Sequence, residues 1–237
     1  MNAMKKIFTT IAAAVLAGAM ATAVSCGDKS SSSSSGVRID GGENARKNMT
    51  DEEYQAAYVS GFDLKPDEDE NISIMISFDR SYFGGDDSDY SEIYLIDRYF
   101  EALNNNDVQG VLDCYYPGYL ESLGSGDSTD TPESYVQNYR DQLASALVDN
   151  FKFEFLDVSN CQLSGDSEAD SFFATDDGAL ENAFGAEILD KVSDRKLVTI
   201  GGYTYFTADS DYAELNTFFT EGIKFCVYTI DGKPYIF

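Results

Sequence analysis

The segment from Ser91 to Leu120 constrains the fold most, because its pattern indicates two helices joined by a polar break. Apolar residues in its first part recur at steps of three and four, which places them on one face of a helix. Three asparagines follow at 104–106, and Asp107 is a typical N-cap for a second, shorter helix. Pro117 is expected to end that helix. The rest of the chain should therefore pack against a helical layer.

A third helix precedes a change of period. Asp130 or Thr131 can serve as its N-cap, and Pro132 suits its first turn. From Phe151 onward, aromatic residues alternate with charged ones, which indicates a long strand running to Leu163. The pattern changes from a helical period to a strand period, which is typical of an α+β fold.

The remaining elements are read from the same two periods and from turn residues. The phase of the long strand is disturbed near 156–158, which predicts a bulge or bend. The other predicted elements are an upstream edge strand at Asn71–Phe78, an inserted helix at Ala179–Val192, strands at Leu197–Thr207 and Gly222–Ile230, a hairpin turn at Asp231-Gly232, and a last strand at Lys233–Phe237. We predict three helices packed on a bent, mostly antiparallel sheet.

Two stretches resemble nuclear transport factor 2-like (cystatin-like cone) domains. The run from Tyr99 to Val108 is similar to their helix ending in aromatic–x–Ala–Leu followed by a short polar break. The ending from Val227 to Phe237 is similar to their final hairpin, although Pro234-Tyr235 follows the lysine where that family usually has Trp. The resemblance covers about 89–237 and implies a strongly bent sheet around a cone-shaped cavity.

In enzymatic members of that superfamily, acidic or polar residues in the cavity do acid–base work, often with histidine. This chain contains no histidine, so histidine-based catalysis and metal binding are excluded. Asp113 or Glu154 could line a cavity and act as a base, although both are equally explained as solvent-facing acids. Catalytic and ligand-binding residues stay unassigned from the sequence.

Tyrosine is concentrated in the helical region. These side chains could line an amphipathic pocket, but a tyrosine-rich core with hydroxyl groups at its edge is the expected arrangement. The seven residues are Tyr94, Tyr99, Tyr115, Tyr116, Tyr119, Tyr135 and Tyr139.

The N-terminus predicts a lipid anchor. Residues 1–25 have a basic start, an apolar stretch rich in alanine and a small-residue end, which are typical of a secretory signal peptide. The residues before Cys26 resemble a bacterial lipobox, in which the cysteine is lipidated and becomes the mature N-terminus. Six serines follow at Ser30 to Ser35, so 26–48 is predicted to be a flexible tether. Residues 49–88 should form a short helix and the edge strand, loosely attached to the domain at 89–237.

The charge and the cysteines limit the partners. A formal net charge of −26 disfavours nucleic acid and anionic headgroups as partners, so membrane attachment should depend on the lipid.

Acidic clusters lack the spacing of a calcium-binding loop, and we expect no metal site and no cofactor. Cys114, Cys161 and Cys226 are odd in number, and we expect buried thiols.

Two functions are compatible with these observations. The first is a non-enzymatic binding or interaction module, anchored by lipid to a bacterial cell membrane and facing its extracytoplasmic side. The alternative is a small carboxylate-dependent isomerase or dehydratase acting in the cone. A filled cone would exclude the enzyme, whereas a deep pocket with a desolvated acid would weaken the binding-only hypothesis.

Overall fold

The computed structural model describes residues 72–85, 89–123, 131–147, 151–206 and 211–237. The predicted signal peptide, Cys26, the serine tether and the short helix from Thr50 lie outside the described residues. In the described part, no helix combines the length and the apolar character that crossing a bilayer requires.

The described residues form an α+β fold, as predicted, but four helices rather than three precede the long strand at Phe151–Gln162. The helices are α1 (Ser91–Asn105), α2 (Val108–Leu112), α3 (Tyr119–Leu123), α4 (Pro132–Ala146), α5 (Ser167–Phe184) and α6 (Leu215–Phe218), with 3-10 turns at Arg80–Phe83 and Ala186–Lys191. The strands are β1 (Met75–Phe78), β2 (Phe151–Gln162), β3 (Val192–Phe206), β4 (Asp211–Glu214), β5 (Ile223–Ile230) and β6 (Lys233–Ile236).

The strands form one curled, mixed sheet in the order β1-β2-β3-β5-β6, with β4 paired to the end of β3. The β1–β2 pair is parallel, and the other described pairs are antiparallel. Helix α1 packs on this sheet through Phe100, whose ring lies 4.8 Å from that of Phe153 and 6.2 Å from that of Phe225. Burying such aromatic side chains removes a large apolar area from water and so stabilises the packing of the helix on the sheet.

Strand β1 lies at an edge of the sheet, as the sequence predicted. The two residues just before β1 are held by Asp97 of α1. The Asp97 carboxylate accepts from the backbone N–H of Ile74 at 2.9 Å and of Ser73 at 3.2 Å. Ile74 and Ile76 are buried in the main core. The strand is therefore fixed both by its ladder and by a side chain of the helical layer.

The predicted bend in the long strand is also present. The pairing of β2 with β3 shifts register between Phe153 and Phe155 and again between Val158 and Asn160. Opposite this region, Gly202 has a φ of +111°, and a Cβ placed on it would lie 2.2 Å from the Phe155 carbonyl oxygen. The two backbones approach so closely here that only glycine fits.

Several predicted element boundaries differ from the structure, including the start of β1 at Met75 rather than Asn71. The inserted helix was expected from Ala179, but α5 begins at Ser167, capped by Asp166, whose carboxylate accepts from the Glu168 N–H. Serine and aspartate have low helix propensity, so the sequence alone disfavoured this start. Helix α2 ends at Leu112, earlier than Pro117, and β3 begins at Val192, upstream of the predicted start.

The predicted capping and turn residues lie at the ends of the elements, as expected. Asp107 caps α2 through the Gly110 N–H, and Thr131 caps α4 with Pro132 in the first turn. Asp231 and Gly232 have φ values of 51° and 78°, which is the conformation of a tight two-residue hairpin turn. These turn and cap residues are confirmed.

Candidate ligand-binding cavity

A cavity of about 180 Å³ lies between α1, α4, α5 and β5. It is large enough for a small organic molecule, because an apolar cavity of about 150 Å³ can hold benzene. Most of its wall is apolar or aromatic. The aromatic lining residues are Tyr99, Tyr115, Tyr135, Tyr139, Phe172, Phe225 and Phe237.

The tyrosines bring hydroxyl groups to this apolar wall. Tyr99 and Tyr115 are buried, and their hydroxyl oxygens lie 3.5 Å apart. The ring of Tyr99 also lies 6.1 Å from that of Phe225, so the helix and the sheet contribute to one continuous aromatic surface. Burial raises the pKa of Tyr135 to about 12 and that of Tyr99 well above its ordinary value. The phenols therefore remain neutral hydrogen-bonding groups at physiological pH.

Asp176 provides the cavity with a carboxyl group. It lies on the buried face of α5, which also carries Ala169, Phe173 and Leu180, and only 7% of it is exposed. Burial raises its pKa to about 7, although a hydrogen bond with the Cys226 thiol opposes that rise. A carboxyl group in this environment titrates in the physiological range.

The nearby cations are committed to other acids. Arg195 contacts Asp177, the neighbour of Asp176, at 3.1 Å. Lys224 lines the cavity, but its Nζ lies 2.7 Å from Glu168 Oε1 and 2.9 Å from Glu221 Oε2. Within the described residues, no Lys or Arg forms an ion pair with Asp176.

Two further tyrosines surround the same carboxyl group. Burial and the charge of Asp176 raise the pKa of both Tyr119 and Tyr228. The Tyr228 hydroxyl donates to the Phe173 carbonyl at 3.3 Å. The Tyr119 hydroxyl is buried and has no hydrogen-bond partner among the described residues, which is a costly arrangement for a polar group.

Some of the tyrosines considered in the sequence analysis line the cavity, and others do not. Of the seven tyrosines, Tyr99, Tyr115, Tyr135 and Tyr139 line the cavity, so the pocket arrangement holds for them rather than the expected core alone. Tyr119 is buried near Asp176 but does not line the cavity, Tyr116 is half-buried, and Tyr94 is 36% exposed.

The two acids singled out from the sequence do not line this cavity. Asp113 is exposed in an outer cleft, where it accepts from Gln109 Nε2 at 2.7 Å. Glu154 is half-buried on β2. The suggestion that these acids line a pocket therefore holds for Asp113 at the outer cleft, but neither acid lines the cavity that contains Asp176. Asp113 is the C-cap of α2, a short helix that buries Val111, and its side chain is exposed.

The sequence pattern did not indicate Asp176, because the helix predicted there begins at Ala179, three residues after it. Once α5 begins at Ser167, Ala169, Phe173, Asp176 and Leu180 fall at steps of four, three and four, the spacing of one helix face. An aspartate in an apolar stripe is a signal of a buried functional or paired acid. That signal is readable only after the helix start is known.

The three described cysteines are free thiols. Cys114 and Cys226 are buried, as expected, whereas Cys161 is half-buried. Burial raises the pKa of Cys114 and of Cys161 to about 11, so neither is an activated nucleophile. Within the ranges that the structure describes, no three His, Cys, Asp or Glu side chains come together as potential metal ligands.

Comparison of the chain with protein-family models, with curated proteins and with solved structures found no match. The resemblance to nuclear transport factor 2-like domains therefore stays a prediction.

Proposed function

We propose that this chain is a lipid-anchored extracytoplasmic protein that binds a small amphipathic molecule in the cavity beside Asp176. The observation that carries this proposal is the cavity itself, which joins an aromatic wall to tyrosine hydroxyl groups and one buried carboxyl group. Binding sites for small molecules typically have an apolar lining with a few placed polar groups.

The anchor belongs to the same proposal and is supported by the sequence. The apolar stretch, Cys26 and the serine run occur in the order of a bacterial lipoprotein N-terminus. On this proposal the curled sheet and the helices form a cone-shaped domain of the nuclear transport factor 2-like kind. The tether would hold that domain away from the outer face of a bacterial cell membrane, where soluble ligands reach it.

Anchoring is tested by Cys26→Ser in the full chain expressed in a bacterium. We expect the variant to leave the membrane fraction, and the mature N-terminus to lose the mass of its acyl chains. Cys161→Ser is the matched control, because Cys161 lies in the folded domain and should not affect fractionation. Unchanged membrane association and N-terminal mass in Cys26→Ser would contradict the anchor.

Cavity binding is tested with benzyl alcohol and protein-observed NMR. We expect saturable shifts of the resonances of Tyr99, Tyr139 and Phe225, which line the cavity. Thr175→Trp should block binding, because Thr175 is an exposed lining residue and tryptophan would fill the opening. Ala174→Trp is the control, since Ala174 is exposed on the same helix. Equal binding by both variants would place the ligand elsewhere.

The second candidate function is a carboxylate-dependent isomerase or dehydratase. The observation that favours it is the pKa of Asp176, which burial raises to about 7, near the value that suits a general base at neutral pH. Its carboxylate would remove a proton from carbon beside a carbonyl, and a tyrosine hydroxyl would donate to the developing oxyanion. Deuterium exchange into small ketones, lost in Asp176→Asn, is the expected result. Exchange at the uncatalysed rate in the native chain would rule out this candidate for those ketones.

A further inference from the structure

We propose that the cavity selects a small organic ammonium ion, an amino group on an apolar or aromatic body, by pairing it with Asp176 among the tyrosine rings. This inference rests on the proposed binding function and specifies the chemistry of the ligand.

The first support is the uncompensated charge of the site. Asp176 is buried, its neighbouring hydrogen-bond donor is the Cys226 thiol, and no described Lys or Arg forms an ion pair with it. Removing an ionised carboxylate from water is costly unless a cation or several donors replace the lost hydration. An ammonium group on a ligand would supply both the charge and the N–H donors.

The second support is the composition of the walls. Tyrosine and phenylalanine rings attract cations through the negative potential of their faces, and the attraction grows when water is excluded. Tyr99, Tyr115, Tyr135 and Tyr139 line the same cavity as Asp176. Rings and a carboxylate together favour an ammonium ion over a neutral or anionic molecule of the same shape.

Lys224 is the feature that could oppose a cation, because it also lines the cavity. Its ammonium group is held between Glu168 and Glu221, at 2.7 and 2.9 Å, so those two acids outweigh its single charge. At longer range, the chain's net charge of −26 concentrates cations around the protein.

The other titratable groups around Asp176 keep one protonation state near pH 7, so Asp176 is the group that titrates there. Burial raises the pKa of Tyr119 on α3 and Tyr135 on α4, and also of Cys226 and Tyr228 on β5, so all four stay neutral. On its own helix, Asp177 is paired with Arg195. Lys224 stays charged, because bonds with its two acids raise its pKa although burial opposes them. Binding an ammonium ion should therefore release about half a proton from Asp176 at pH 7, where a group with a pKa of about 7 is half protonated.

The experiment compares benzylammonium, benzyl alcohol and benzoate, three probes that share a ring and differ in charge. Calorimetric titration of the full chain at pH 8 should show benzylammonium binding at least tenfold more tightly than benzyl alcohol, with benzoate weakest. At pH 6 the preference should shrink, because Asp176 is then mostly protonated. At pH 7 the heat should depend on the buffer's ionisation enthalpy in the sense of proton release.

Two variants complete the test. Asp176→Asn should lose the preference for benzylammonium and the proton release, while still binding benzyl alcohol in the aromatic cavity. Glu181→Gln is the matched control, because Glu181 is an exposed acid of the same helix and its substitution removes the same charge. The Glu181 variant should keep the full preference.

The failures can be told apart. Equal or tighter binding of benzyl alcohol or benzoate at pH 8 would overturn the ammonium inference and leave the binding function standing. The same holds if Asp176→Asn keeps the preference. If none of the three probes binds the native chain, both proposals are contradicted.

Discussion

At the scale of single residues, the burial of Asp176 has a cost in stability. The carboxyl group has an ordinary pKa of 3.8, and burial in the folded state raises it to about 7. The folded protein therefore binds this proton more tightly than the unfolded chain does. The resulting contribution to stability is complete below pH 3.8 and is lost as the pH rises through 7.

Asp176→Asn should accordingly stabilise the protein at pH 8, because the amide has no charge to desolvate. The free energy of unfolding should rise by about 2–4 kcal/mol at pH 8 and much less at pH 4. Urea denaturation at several pH values measures this. Asp97, with a pKa that burial raises to about 6, should contribute a smaller slope of the same sign in both proteins. A variant that is less stable than the native chain at pH 8 would contradict this account.

The sequence indicated the tyrosines that line the cavity, but it did not indicate Asp176. The tyrosines could be identified because aromatic residues recur in helices whose limits were clear, such as Thr131 and Pro132 at the start of α4. Asp176 could not, because aspartates and serines around it resemble a solvent-exposed segment by composition. Its burial depends on contacts with β5 that are distant in sequence.

At the scale of elements, Asn104 joins α1 to the bulged part of β2. Its side-chain amide donates to the Phe153 carbonyl and accepts from the Phe153 N–H, both at 2.7 Å. These bonds satisfy the backbone of Phe153 next to the register shift. The sequence predicts a break at 104–106, but α1 continues through Asn105, and of the three asparagines Asn106 alone adopts a left-handed turn conformation, with a φ of 54°.

Asn104→Ala should destabilise the fold, because it leaves two partly buried backbone groups of Phe153 without partners. We expect a loss of about 1–3 kcal/mol in the free energy of unfolding. Amide hydrogen exchange at Phe153 should accelerate as well. Asn105→Ala is the control, since Asn105 is exposed in the same helical turn, and it should change stability by less than about 0.5 kcal/mol. Similar losses in the two variants would refute the bridging role.

Gly202 sets the close approach of β3 to β2. Gly202→Ala should prevent the native pairing or cost at least about 3 kcal/mol, because the new methyl group would overlap the Phe155 carbonyl at a positive φ. Gly178→Ala is the comparison, since a Cβ there meets nothing within 4 Å inside α5. Alanine at 178 should instead stabilise the helix by up to about 1 kcal/mol. Thermal unfolding of both variants decides this, and a folded, stable Gly202→Ala protein would contradict the proposed crowding.

At the scale of the whole molecule, the sequence indicated the long helices and strands in order, but not α3, β4 or α6 and not the shape of the assembly. The change from a helical period to a strand period near Phe151 predicted α+β architecture, and Asp231-Gly232 predicted the last hairpin. The parallel pairing of β1 with β2 could not be predicted, because alternation at 71–78 fixes a face but not a neighbour. The cavity likewise depends on how four elements meet.

The charge of the whole chain predicts an unusual response to salt. With 42 acidic and 16 basic side chains, self-repulsion destabilises the compact state, and salt screens it. The melting temperature at pH 8 should therefore rise by a few degrees between about 10 mM and 500 mM NaCl. Near the isoelectric point of about 4.1 this rise should disappear, which serves as the control. A melting temperature that falls with salt at pH 8 would show that ion pairs dominate instead.

The way β1 enters the fold has a mechanical consequence. Residues 72–74 lead directly into a four-residue edge strand. A pulling force applied at Ile72 would therefore act on that strand. The ladder to β2 and the two backbone N–H groups held by Asp97 would carry that load first. Under tension, β1 would peel away before the sheet that lines the cavity is strained.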